Sequence, residues 1–198
     1  MGKAQFRIGG PGRTLRQQLV LHENGTRCTL VDDAHGARTF ALPNGEQVES
    51  IVDGKVDAIA IRGNEVAVVE NGVARRADSS EPLLGNVEKV ESIAFLPDGT
   101  LLAAEFSGQV VFWDGGETVG ERLPAHDGEV LVVKSLPGNR ALTAGQDGKV
   151  LVWEGRTSRA LLAADAPTTK WDDAAVSSDG NTLYLCGMKL LVAVDLAS

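Results

Sequence analysis

The chain has 198 residues, with 27 acidic against 19 basic side chains and a net charge of −8, long enough to build a core that needs neither disulfides nor metal ions. Apart from the pair Arg75-Arg76 its basic residues are dispersed, with Arg7, Arg13 and Arg16 scattered near the start; direct binding to nucleic acid, which needs a basic stripe or patch, is not expected. No apolar run reaches about eighteen residues and no basic start leads into a long apolar stretch, so neither a membrane span nor a signal peptide is expected.

Residues 1–13, which include Gly9-Gly10-Pro11-Gly12, read as a flexible leader; the glycine run lacks the lysine-serine pair and the strand–helix context of a phosphate loop. Short strand candidates follow at 17–22, 27–31 and 38–42, separated by Asn24-Gly25 and a turn over 32–36. A hairpin over 65–70 and 73–77, turning at Asn71-Gly72, follows a strand at 58–61. Residues 90–155 then hold two copies of one pattern forty residues apart, VESIAFLPDGTLLAAEFSGQVVFWDG and VLVVKSLPGNRALTAGQDGKVLVWEG. A third copy closes the chain with strands at 174–177, 182–186 and 190–194 and no room for a fourth. Helix is confined to a turn or two within 10–21 or 168–175. Cys28 and Cys186 fall in strands at opposite ends and read as reduced, buried thiols.

Each copy therefore predicts three short antiparallel strands, with a fourth at 117–123 in the first of the pair and at 159–163 in the second. A four-stranded sheet of about forty residues cannot bury its own apolar faces and must stack on another like it, as a propeller blade or a solenoid unit does. The expected fold is all-β, one domain of four to five four-stranded antiparallel blades, approximately 17–45, 54–85, 88–124, 128–164 and 172–196.

Trp113-Asp114 and Trp153-Glu154 each close a strand of this repeat, and here the chain resembles the WD-repeat β-propeller family. The best match runs through Ala125-His126-Asp127-Gly128, Leu142-Thr143-Ala144-Gly145-Gln146-Asp147-Gly148 and Val150-Leu151-Val152-Trp153. The resemblance implies a side-chain hydrogen-bond network of His126, Thr143, Asp147 and Trp153. Physically, Asp147 can accept from backbone amides and an imidazole, whose second nitrogen meets Thr143, whose hydroxyl reaches the indole N–H of Trp153. The other copies depart from it: the corresponding positions are Asn86, Ala103, Ser107 and Trp113 in one, while Met188 and Val194 replace the aspartate and tryptophan in the last. The two N-terminal units lack every member. The family closes rings of about seven blades, so three arrangements stay open: a small closed ring, part of a longer ring, or a ring completed by another copy or chain. In a closed ring the missing last strand could come from 17–22 or 38–42, beside 190–194.

No catalytic, cofactor or metal site is expected. His22, His35 and His126 show no ligand spacing, and His35 reads, with Asp32 and Asp33, as a solvated turn. The resemblance implies a non-catalytic scaffold that binds a protein or peptide within a cytoplasmic or nuclear assembly. The candidate partner surface is Phe106, Trp171, Asp172, Asp173 and Met188; for Phe106 and Trp171, packing against a neighbouring blade is the competing role. A structural part of a split or longer propeller, and a small-ligand or enzymatic propeller with polar groups converging in its channel, are the alternatives.

Overall fold

The computed structural model describes residues 17–22, 25–32, 35–83, 89–116, 120–162, 171–177, 179–187 and 190–196. These form five antiparallel sheets in chain order, each built only from consecutive strands and arranged as blades around an axis. Blade 1 is β1 (Gln17–His22), β2 (Arg27–Asp32), β3 (Gly36–Ala41) and β4 (Gln47–Val52). Blade 2 is β5 (Ala58–Arg62), β6 (Glu65–Glu70) and β7 (Val73–Arg76), and a single bridge between Arg75 and Pro82 extends its outer edge. Blade 3 is β8 (Val90–Phe95), β9 (Leu101–Glu105), β10 (Gln109–Trp113) and β11 (Glu121–Pro124). Blade 4 is β12 (Val130–Leu136), β13 (Arg140–Gly145), β14 (Val150–Glu154) and β15 (Thr157–Leu162). Blade 5 is β16 (Asp173–Val176), β17 (Thr182–Gly187) and β18 (Leu190–Asp195).

The first strands β1, β5, β8, β12 and β16 stand next to one another in that order and line the axis. Strand alternation gives each inner blade two apolar faces, and the buried side chains sort into slabs between successive blades. Val31, Ala37 and Val52 of blade 1 meet Val56, Ile59 and Val68 of blade 2. Between blades 2 and 3 the slab is thin, with Ala58, Ala60, Ala67 and Ala74 opposite Val90, Ile93, Leu101 and Val111. Phe112, Leu102 and Val110 meet Trp153, Val133 and Leu151 between blades 3 and 4, the two aromatic rings edge to face with centroids 5.6 Å apart. Leu136, Leu142 and Val152 meet Trp171, Leu183 and Leu185 between blades 4 and 5.

Polar ties repeat at about the same spacing. The Gln18 amide pairs with both backbone groups of Ile59, at 3.1 and 3.2 Å. Arg62 donates to the Pro97 carbonyl, and Asn139 exchanges two hydrogen bonds with Asp98, one to its amide and one to its carboxylate. The blades are thereby locked in height as well as packed.

The structure corrects two expectations. Strand β4 was not anticipated, because blade 1 was ended at residue 45, short of the alternating Gln47–Val52 segment. Residues 17–22 and 38–41 do not complete blade 5; β1 pairs with β2, and β3 lies between β2 and β4. Of the segments in which a helical turn was allowed, residues 17–21 and 173–175 lie in β1 and β16, and residues 10–16 and 168–170 lie outside the described residues. The predicted leader lies outside the described residues.

Candidate functional site

The connections between second and third strands, and those entering each first strand, gather at one end of the axis. There Asp57, Glu91, Glu129, Trp171, Asp172 and Asp173, from four blades, line an axial cavity of about 460 Å³. Its acidic groups are largely paired with lysines: Asp57 with Lys55 at 3.1 Å, Glu91 with Lys89, and Asp173 with Lys134 at 2.8 Å. The cavity therefore holds neutralised pairs, and among the described residues no three His, Cys, Asp or Glu side chains are placed to share a metal ion.

Blade 4 carries a continuous chain of side-chain hydrogen bonds. The Trp153 indole donates to the Thr143 hydroxyl at 3.0 Å, Thr143 Oγ1 lies 2.9 Å from His126 Nε2, and His126 Nδ1 lies 2.9 Å from Asp147 Oδ1. Asp147 also accepts the backbone N–H groups of Asp127 and Lys149 and pairs with the Lys149 ammonium at 3.3 Å. One proton arrangement satisfies every link: Trp153 to Thr143, Thr143 to a neutral His126, and His126 to the Asp147 carboxylate. A second proton on His126 would leave the Thr143 hydroxyl hydrogen without the acceptor it now uses.

The directions of the two pKa shifts agree with this arrangement. Burial pushes the His126 pKa below the usual imidazole range, against the opposing pull of Asp147. Burial alone would raise the Asp147 carboxyl, but the amide of Asp127, the imidazole and the amide of Lys149 together hold it below its ordinary range. The folded chain thus binds the His126 proton less readily than the unfolded chain does. The stability contributed by neutral His126 is complete above an unfolded imidazole pKa of about 6.5 and is lost as pH falls through the lower folded value. Denaturant titrations from pH 8 to 5 are expected to show this loss, and a His126→Phe variant is expected to show a flatter profile across that window.

Gly145 makes room for the ring. A Cβ there would lie 2.4 Å from His126 Cγ and Nδ1. Gly145→Ala is expected to destabilise the protein by about 1–3 kcal/mol, read as a lower urea midpoint, because the anchored imidazole cannot move aside without breaking its bond to Asp147.

Forty residues earlier, blade 3 has Glu105 where blade 4 has Gly145. Glu105 is fully buried, accepts from the Ser107 hydroxyl at 3.1 Å and pairs with Arg122 at 3.1 Å. A carboxylate–guanidinium pair thus performs in blade 3 the locking done by the imidazole in blade 4, and Trp113 turns its indole N–H to the Gly116 carbonyl. Blade 1 has a third version, in which His22 Nε2 meets Thr29 and Thr29 meets Thr39, at 2.9 and 2.8 Å. Neither substitute was anticipated. The forty-residue offset of Glu105 from Gly145 was the available signal for the first.

Of the proposed contact residues, Phe106 is 54% exposed on the turn after β9, with the Lys89 ammonium 5.2 Å from its ring centre. Asp172 and Asp173 are exposed at the entrance to β16. Of the two roles weighed for Trp171 the structure shows the packed one rather than the exposed anchor: it is 1% exposed and lies on blade 4, with its indole donating to the Gly148 carbonyl at 3.2 Å. Cys186 is a correction, being exposed rather than buried, while Cys28 is buried and both thiols are free. Met188 lies outside the described residues.

Two stretches, residues 82–114 and 117–154, match the model of the family described as WD domain, G-beta repeat. This is a WD-repeat propeller. The propeller is similar to telomerase protein component 1 of Rattus norvegicus, with 30% identity over 164 residues, covering 78% of this chain and 6% of that protein. The WD-repeat chain therefore spans only a small fraction of that relative. In fold it is similar to the C-terminal WD40 domain of Sif2, with a TM-score of 0.66 at 13% identity, covering 91% of this chain and 66% of that domain.

Proposed function

We propose that this propeller is a non-catalytic scaffold that binds a protein or peptide partner within a larger cytoplasmic or nuclear assembly, through the end at which the first strands begin. The observation that carries this reading is Phe106, an aromatic ring held half in solvent on a turn whose backbone is fixed by the Phe106 N–H bond to the Lys89 carbonyl at 2.8 Å. A rigid, partly exposed aromatic beside a cation is the kind of group that anchors protein interfaces at low entropic cost.

Affinity capture with the intact chain and with Phe106→Ala tests the reading. The substitution is expected to leave the melting temperature within about 2 °C, since little apolar area is lost from the core, while specific co-purifying proteins disappear. A fall in stability with the captured proteins unchanged would assign Phe106 to packing and overturn the proposal.

A further inference from the structure

Across blade 2 the strands pair Ala60 with Ala67 and Ala67 with Arg76, and across blade 3 the same row reads Ala94, Leu102 and Phe112. Each row faces the following blade, where the indoles forty residues apart, Trp113 and Trp153, stand opposite it. Between blades 3 and 4 this place is full: Leu102 and Phe112 occupy it, and the Phe112 ring meets Trp153 edge to face. Between blades 2 and 3 the two positions hold the much smaller Ala67 and Arg76, whose charged side chain is 46% exposed. A notch of about 300 Å³ is left there, at the end of the sheets opposite Phe106. Leu83, Phe95 and Trp113, all half-buried, form its apolar wall. An apolar space of roughly 150 Å³ already holds a benzene ring, so the notch has room for the ring that Phe112 supplies one blade further on.

The charged groups on the rim are Arg62, Glu65, Arg76, Asp98 and Asp114. Arg62 is held by Glu65 at 2.6 Å and by the Pro97 carbonyl. Asp98 accepts from Asn139 at 2.6 Å and from the Thr100 amide at 2.9 Å, and Asp114 accepts from the Gly116 amide at 3.2 Å. Arg76 is held most loosely, since its ion pair with Asp78 is stretched to 3.5 Å and both side chains lie largely in water. Such a pair contributes little, so the guanidinium can turn to a better-placed carboxylate at small cost. We propose that this notch is a binding site for a partner peptide that inserts an aromatic side chain against Trp113 and Phe95 and sets the carboxylate of an adjacent acidic residue on Arg76. The inserted ring completes between blades 2 and 3 the packing that Phe112 completes between blades 3 and 4, and the planar guanidinium fixes the direction of the peptide. The site lies at the opposite end of blade 3 from Phe106 and does not depend on the role of that residue.

The indole N–H of Trp113, which donates to the Gly116 carbonyl at the edge of the notch, reports on its occupation. The isotopically labelled intact chain is titrated with a capped peptide that carries one phenylalanine between two aspartates in a glycine-serine frame, and the indole N–H signals are followed by nuclear magnetic resonance. Trp113→Phe identifies the Trp113 signal, while Trp153 and Trp171, 2% and 1% exposed, are internal controls that should not move. The Trp113 signal is expected to shift and saturate with a Kd of about 1 mM or less. Asparagines in place of the two aspartates, or the Arg76→Gln variant, are expected to weaken binding by about fivefold or more. Arg76→Phe rebuilds the arrangement of blade 3 and is expected to bind no peptide while its urea midpoint stays at or above that of the unchanged chain, so that unfolding does not account for the loss. No saturation up to about 5 mM, an equal shift with alanine in place of the phenylalanine, equal binding of the asparagine peptide, tighter binding when lysines replace the aspartates, or undiminished binding to Arg76→Phe would each overturn the proposal.

Discussion

Thr143→Val is expected to lower the stability of the propeller by about 3 kcal/mol, because a single hydroxyl serves two buried partners. Valine fills the same space, so little packing is lost. The indole of Trp153 then has no acceptor and His126 Nε2 no donor, at a site where Thr143 is fully buried and both aromatic side chains are nearly so. Each stranded polar group costs about 1–3 kcal/mol when water cannot reach it. Thr143→Ser, which keeps the hydroxyl and removes one methyl, is expected to cost only about 1 kcal/mol. Urea unfolding of the three proteins measures the difference. Equal losses for valine and serine would mean that the methyl, not the hydrogen-bond chain, is what matters at this position.

Gly108→Ala is expected to be at least as damaging, costing about 3–5 kcal/mol, and its counterpart Gly148→Ala much less. The two glycines are forty residues apart, each on the turn after a second strand, with φ of +90° and +79°. Both substitutions incur the strain of a left-handed backbone, about 1–2 kcal/mol. They differ in what a Cβ meets. At Gly148 there is nothing within 4 Å, whereas at Gly108 the carbonyl oxygens of His126 and Gly128 lie 2.2 and 2.7 Å away. Those atoms belong to the connector between blades 3 and 4, which is itself fixed by the amides of Ala125 and His126 donating to the Gly108 carbonyl. An alanine would push this connector outward and with it the backbone that carries the His126 ring. Chemical unfolding of the two variants should separate them by about 2 kcal/mol or more. Indistinguishable midpoints would show that the connector yields easily and does not hold blade 4 in place.

The repeat frame was legible because the chain marks it with residues of narrow conformational choice. Asn71-Gly72, both with positive φ, turn one hairpin, and the tryptophans forty residues apart mark strands β10 and β14. The network of blade 4 was legible through the resemblance to WD repeats: Thr143 and Trp153 lie on the paired strands β13 and β14, Asp147 on the turn between them and His126 on the connector that enters β12. The lock in blade 3 was not. Glu105 and Arg122 lie on strands separated by β10, and nothing local says that a glutamate at the end of a strand will be buried rather than solvated. The choice between the two roles of Trp171 was not legible for the same kind of reason. The Gly148 carbonyl and the Val150 and Val152 surface that receive it belong to the preceding blade. Burial that depends on a neighbouring sheet leaves no pattern in the residue's own segment.

The account depends most on β10 and β14 belonging to different sheets that face one another, each inside its own blade. Cross-strand nuclear Overhauser contacts test this directly. They are expected to connect Val111 with Ala103 and Arg122, and Thr143 with Val133 and Leu151, with no backbone contact between residues 110–113 and 150–153. Backbone contacts joining those two segments as neighbours in one sheet would contradict the propeller.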